Sequence, residues 1–414
     1  MRILGNIERL NREAWLLLLV SGLFAIATAL SSSFVNVYLW KIKHDWSLIS
    51  WFNFIHFLVS AITFVIAGWL TKRIDRVVSI RLGVAFLSIF YLTVLLLGTK
   101  SVHYVIVLGT LIGLGAGFFW LAYNILYFEI TEKDNRDVFN GVNGLIGAVA
   151  GIVAPLLSGF IITRINHFTG YRIIFGISLL IFIVAVIISF LFKRRSAQGR
   201  YRLTNVLTLV KKPSNHWFWV NLAMISQGLR EGVFSFLIGL LVYVTTKNEL
   251  TLGSFFTISS IVSMISFYLV GRFLKPKNRN LFIFIGTLMM GIVVLPFVFL
   301  ANSWTMFILG VGASLFYPFY MSPLTSTVFD VIGENQETAE LRVEYVVARE
   351  LALNLGRMIS ILSFIWWESR SSDLLHIRWF VLAIGFVQML AWLSIRKVPF
   401  LQSQSVDQVK KHLP

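Results

Sequence analysis

With 414 residues, 57% of them hydrophobic and 13% charged, and a mean hydropathy of +0.79, the chain excludes a soluble fold and reads as a polytopic membrane protein, since soluble domains carry about 25% charged residues. Cysteine is absent, which excludes a disulfide framework and any Cys-based metal or redox centre. The net charge of +17 sits in short loops between apolar runs, where membrane orientation accounts for it and a nucleic-acid partner is not expected.

Arg2, Arg9 and Arg12 precede the first apolar run, and Ala27-Thr28-Ala29 has the form of a cleavage site. The run continues to Trp40, beyond a signal-peptide core, so it is expected to be an uncleaved first span. Further runs of spanning length follow that of Ala14, beginning near Trp46, Ser79, His103, Val138 and Tyr171. A second six begin near His216, Leu252, Leu281, Trp304, Val343 and Ile377. Twelve helices return both ends to one side. In that topology Lys and Arg divide as about 25 on the terminal side, 8 on the other and 3 inside helices (Arg230, Arg349 and Arg357), which predicts cytoplasmic termini.

The predicted fold is therefore an all-α integral membrane protein with twelve transmembrane helices in two six-helix pseudo-repeat bundles. Residues 1–192 form the first bundle, 193–215 a basic cytoplasmic linker, 216–400 the second bundle and 401–414 a cytoplasmic tail. The linker, with Lys193, Arg194, Arg195, Arg200, Arg202, Lys211 and Lys212, suits orientation and contact with anionic lipid headgroups.

The halves repeat at offsets near two hundred residues. Gly68 to Arg76, after span two, aligns with Gly271 to Arg279, after span eight. Gly113 to Trp120 in span four echoes Gly310 to Tyr317 in span ten, and Arg172 and Arg378 hold the same place before spans six and twelve. Parallel repeats of six helices imply two similar bundles with a site near the midplane.

On these features the chain resembles the major facilitator superfamily over essentially its whole length. That family's loop after span two reads Gly, Asp-Arg, then Gly-Arg and a basic residue; here Gly68, Arg73 and Arg76 match, while Lys72 stands at the Asp position and Asp75 at the second Gly. Basic character is kept and the usual charge pairing is not. Span five resembles the motif of proton-linked exporters in Gly141, Ala150, Ala154, Pro155, Ser158 and Gly159, all small residues at the motif's spacing, a pattern that tight helix packing also selects. Gly170 to Phe175 is similar to the family's start of span six. The resemblance implies alternating access by rocking of the bundles, with spans one, four, seven and ten lining the cavity.

The apolar run from Val346 to Trp367 contains Arg349, Glu350, Asn354 and Arg357, of which Glu350, Asn354 and Arg357 share one helical face. A lone central Arg or Glu in a span costs about 2.5–3.5 kcal/mol even on the lenient scale, so this face must look inward. Span seven carries Gln227, Arg230 and Glu231 on a broad face. The five ionisable groups of the two spans sum to one net positive charge. They suit a static salt-bridge network, a proton relay in which Glu231 or Glu350 exchanges a proton against Arg357 or Arg230, or an anion receptor.

In the first bundle the polar positions are neutral or titrate mildly. Asn53, His56 and Ser60 form a stripe in span two, where the His suits hydrogen-bonded packing or proton transfer. Ser32 and Asn36 lie on span one; Trp120, Tyr123, Asn124 and Tyr127 line span four; Tyr317 and Tyr320 are the counterpart on span ten. Since the resemblance puts spans four and ten at the cavity, these aromatic faces are expected to touch an amphipathic substrate. Acidic residues follow span four (Glu129, Glu132, Asp134, Asp137) and span ten (Asp330, Glu334, Glu337, Glu340, Glu344). They are either a solvated run or a gate pairing with Arg73, Arg76 or Arg279.

The function expected from this reading is secondary active transport, as proton-coupled export of a small amphipathic or anionic compound. The alternatives are a flippase of a lipid or lipid-linked precursor on the same fold, and a non-transporting receptor. No Walker motif, His-x-x-x-His pair or Ser-His-Asp set is found, so neither an enzyme nor a resident cofactor or metal is expected. Many exporters of cationic drugs that the chain resembles keep a carboxylate in the first bundle, whereas spans one, two, four and five here have none away from their ends, so the resemblance disfavours a cationic drug as substrate. The expected setting is the plasma membrane, with the chain a monomer and membrane lipids, a small-molecule or lipid substrate and protons as partners.

Overall fold

The computed structural model describes residues 10–131, 135–165, 168–195, 200–300, 302–334, 336–371 and 373–398. Arg2, Arg9, Glu132, Asp134 and the tail 401–414 lie outside these residues, as do the side chains of Asp137 and Glu337. Among the described residues, regular structure is helical, as a chain in lipid requires when every backbone N–H and C=O must be satisfied within its own segment.

Among the described residues, eleven helices are long and apolar enough to cross a membrane: Arg12–Lys43, Trp46–Arg73, Arg76–His103, Val105–Ile130, Val138–Arg164, Thr169–Ser189, His216–Thr246, Glu249–Phe273, Pro276–Phe299, Ser303–Ile332 and His376–Ile395. The remaining long helix, Arg342–Glu368, has 27 residues and completes the twelve; its charges set it apart from the others. Numbered in chain order, it is span 11. Observed starts lie within five residues of the predicted ones, the largest difference being Pro276 against Leu281.

Asn11, Asp45 and Asn302 each accept a backbone N–H at a helix start, from Ala14, Leu48 and Thr305. His44 and Lys247, with φ of 53° and 51°, turn the chain after spans 1 and 7. Spans 9 and 12 are each broken, at Val293–Val294 and at Gln388.

The residues group into two compact units: Met1–Tyr201 with Ser235–Ile261, and Arg202–Phe234 with Val262–Pro414. The units therefore do not follow the division of the sequence into halves. In the first unit, Gly83 of span 3 lies against the backbone of Phe119 in span 4. In the second, Gly286 of span 9 meets the backbone of Tyr320 in span 10, the same packing about two hundred residues on. Within the basic linker, Leu203–Leu209 is a short helix with Val206 wholly buried, and the Arg202 N–H donates to Glu344 Oε1 of span 11 at 2.9 Å.

Candidate functional site

Spans 7 and 11 approach backbone to backbone. A Cβ at Gly228 would collide with the Leu353 carbonyl, and one at Gly356 with the Ile225 carbonyl, so only glycine fits on either side of this seam. The close approach brings the long polar side chains of both helices together.

Glu231 is the hub. Arg357 Nη2 donates to Glu231 Oε2 at 2.7 Å, and Gln227 Nε2 donates to Glu231 Oε1 at 2.7 Å. Arg357 Nη1 also donates to Asn354 Oδ1 at 3.1 Å, and Asn354 Nδ2 to the Glu350 carbonyl at 2.9 Å. The side chains of four predicted residues, with the Glu350 carbonyl, thus form one chain of hydrogen bonds, in which the Arg357–Glu231 pair is charge-assisted. Arg349 and Glu350 instead pair with each other on span 11, at 2.6 Å.

Arg230 departs from Gln227 and Glu231. It is 5% exposed, and its guanidinium lies 4.7 Å from the Phe234 ring centroid. Its Nε and Nη2 have no hydrogen-bond partner among the described residues. Its electrostatic neighbours are Tyr320, Glu231 and Tyr317. Tyr317 and Tyr320 meet edge to face at 5.5 Å, and the Tyr320 hydroxyl is likewise buried without a partner.

In the middle of spans 1 and 2 the predicted polar residues of the first unit make neutral contacts. Asn53 Nδ2 donates to Asn36 Oδ1 at 2.9 Å, and the His56 ring stacks on Phe57 at 4.7 Å. Asn124 Nδ2 is turned back to the Trp120 carbonyl. Trp120 and Tyr123, with Phe24 and Phe119, line a cavity of about 430 Å³ whose polar edge includes Ser21, Thr28, Ser32 and Asn143. Such a cavity, mostly apolar with a few polar groups, suits an amphipathic molecule.

The motif expected in a loop after span 2 lies mostly in helix: Gly68, Lys72 and Arg73 belong to the last turns of span 2 and Arg76 opens span 3. Gly68 and Lys72 are buried, Arg73 is exposed over the Trp69 ring, and Asp75 accepts the Val77 N–H at 2.8 Å as the cap of span 3. Arg76 Nε pairs with Glu129 Oε1 at 2.7 Å, and Arg279 Nη1 with Asp330 Oδ2 at 2.5 Å. Each pair ties the start of one span to the end of the next within its own unit, and the second repeats the first.

The small-residue face of span 5 packs on span 8. A Cβ on Gly159 would strike the Glu249 carbonyl, one on Gly253 the Pro155 carbonyl, and Thr257 Oγ1 donates to the Ile152 carbonyl at 2.7 Å. Ala150 and Ala154 are buried, while Gly141 is partly exposed. Beside this seam lies a cluster that sequence reasoning missed: Lys41 Nζ meets Glu249 Oε1 at 2.7 Å, and the buried Tyr171 hydroxyl donates to the same oxygen at 2.9 Å. Its one sequence signal is an acid and a base at opposite span ends, 208 residues apart.

Residues 17–361 match the family model of the Major Facilitator Superfamily. The chain is 37% identical over 408 residues to the uncharacterized protein YqgE of Bacillus subtilis, covering 98% of this chain and 94% of that one. It is 29% identical over 189 residues to the multidrug transporter protein MdtP of Bacillus subtilis, covering 44% of this chain and 33% of MdtP. In fold it is similar to the fucose:proton symporter FucP of E. coli, with a TM-score of 0.65 and 14% identity, covering 95% and 98% of the two chains.

Proposed function

Because the chain belongs to the major facilitator superfamily, a family of membrane transporters, we propose that it is a proton-coupled secondary transporter of the plasma membrane, with cytoplasmic termini, that exports a small amphipathic or anionic compound by alternating access. The observation that carries this reading is the Arg357–Glu231 ion pair joining spans 7 and 11. A cation beside a sheltered carboxylate holds it ionised, and the same shelter without the cation favours the protonated acid. Movement that parts spans 7 and 11 breaks this pair and their return restores it, which makes Glu231 the candidate proton carrier. Glu350 serves less well, since its partner Arg349 is the neighbouring residue on the same helix and moves with it. The aromatic cavity beside Trp120 supports an amphipathic cargo, and the small-residue motif of span 5 supports the outward direction.

The test is dye-reported, pH-driven transport in proteoliposomes challenged with a panel of amphipathic organic anions and cations. Glu231→Gln is expected to abolish coupled proton movement and Glu350→Gln to leave most of it. Full coupling in both variants would overturn the proton role.

A further inference from the structure

We infer that Arg230 and Tyr320 form a subsite for an oxyanion, a carboxylate or phosphate group, on the compound that the protein carries; the inference rests on the transport reading above. The Arg230 guanidinium lies over the Phe234 ring, a cation–π contact that leaves Nε and Nη2 without a hydrogen-bond partner among the described residues. The two nitrogens without a partner, Nε and Nη2, are those whose N–H bonds run parallel along one edge of the guanidinium. That edge is the fork that takes two oxygens of a carboxylate or phosphate. The Tyr320 hydroxyl, wholly buried and without a hydrogen-bond partner among the described residues, belongs to an electrostatic neighbour of Arg230 and offers a third donor.

Charge points the same way. Glu231 is the one acid among the electrostatic neighbours of Arg230, and both its oxygens are already engaged, by Arg357 and Gln227. Arg349 and Glu350 neutralise each other. One positive charge, that of Arg230, is left over in a sheltered place where an unmatched ion is expensive. An anionic group meets the charge and the geometry together, whereas a cationic one would add to the excess.

The experiment uses the full chain in dodecyl maltoside, with phenyl phosphate and phenylacetate as anionic probes and phenyltrimethylammonium as the cationic one, binding being read by thermal shift and calorimetry. The anions are expected to bind and the cation not. Arg230→Gln should weaken anion binding by at least about ten-fold and Tyr320→Phe by several-fold, as for loss of charge-assisted bonds. Arg164→Gln, which removes an exposed charge at the end of span 5, should bind as the wild type does. Tyr320→Phe keeps the ring and so tests the site even where Arg230→Gln folds poorly. Native mass spectrometry from phosphatidylglycerol nanodiscs separates the sources: lipid retained by the wild type and lost in Arg230→Gln identifies a headgroup, and probe binding without retained lipid identifies a soluble anion. Either outcome supports the subsite. Wild-type affinity in both Arg230→Gln and Tyr320→Phe, equal binding of the cation, or no binding of either probe or lipid would overturn it. No gradient is applied, so anion binding that survives without coupling would count against the transport reading alone. Coupling that survives without Arg230-dependent binding would count against the subsite alone.

Discussion

The two units hold their polar interiors by different chemistry. Inside the first, amides and hydroxyls pair with one another, as in Asn36 with Asn53 and Ser31 with Tyr91, and ion pairs such as Lys41–Glu249 and Arg76–Glu129 stand at helix ends. Inside the second, whole charges sit in mid-helix, on spans 7 and 11. Neutral pairs cost little to bury and hold a fixed arrangement. A buried ion pair rarely outdoes an apolar replacement in stability, so its presence asks for another role. The contrast separates a scaffold from a working part, and substitutions can break or sharpen it.

The largest effect is expected at the seam that creates the charged pair. Gly228→Leu drives a side chain into the Leu353 carbonyl and should cost at least about 3 kcal/mol, the upper end for overpacking, read as loss of monodisperse protein and a lowered Tm. Gly176→Leu in span 6, where nothing lies within 4 Å of an added Cβ, should leave both unchanged. Equal effects at the two glycines would deny the seam its special closeness.

Next comes the pair itself. Arg357→Ala leaves the Glu231 carboxylate with Gln227 alone and should destabilise by about 3 kcal/mol, the low end for breaking a buried pair because each partner is 21% exposed. The double variant Arg357→Ala with Glu231→Ala should recover more than half of that loss in denaturant titration. Additive losses would mean that the two residues do not act as a unit. By contrast, Asn53→Ala in the first unit removes a neutral bond to Asn36 and should cost about 1 kcal/mol, leaving pH-driven transport intact.

How much of this could be read from the sequence follows from what each feature depends on. The spans were legible because hydropathy is summed over some twenty residues, and one misplaced charge does not hide a run. The union of spans 7 and 11 was legible in part: Gln227 and Glu231 are i, i+4, while Glu350, Asn354 and Arg357 follow one face. The direction taken by Arg230 was not. At i, i+3 from Gln227 it falls on the other side of that residue from Glu231, about 100° around the helix, and Phe234 one turn on captures it. Nor did periodicity disclose Gly228 against Gly356, or Lys41 with Glu249, since contacts between distant helices depend on which faces dock. The acidic residues after spans four and ten were legible as partners for loop arginines, while their pairing inside each unit needed the three-dimensional structure.

Those repeated pairs carry the smallest expected effect and extend the comparison to the helix ends, where the two units are built alike. Arg76 and Glu129 have side chains 18% and 11% exposed, whereas Asp330, the partner of Arg279, is 43% exposed. Water and salt screen the second pair more, so Arg279→Ala should cost about 0.5 kcal/mol or less and Arg76→Ala about 1 kcal/mol. Arg76 is further distinguished because Arg195 also reaches Glu129, at 3.8 Å, so that its removal leaves the carboxylate one weaker partner. Raising the salt concentration during thermal unfolding should shrink the difference between wild type and Arg279→Ala toward zero while most of the Arg76→Ala deficit persists. A deficit at Arg279 as large as that at Arg76, and as resistant to salt, would show that exposure does not rank the two pairs.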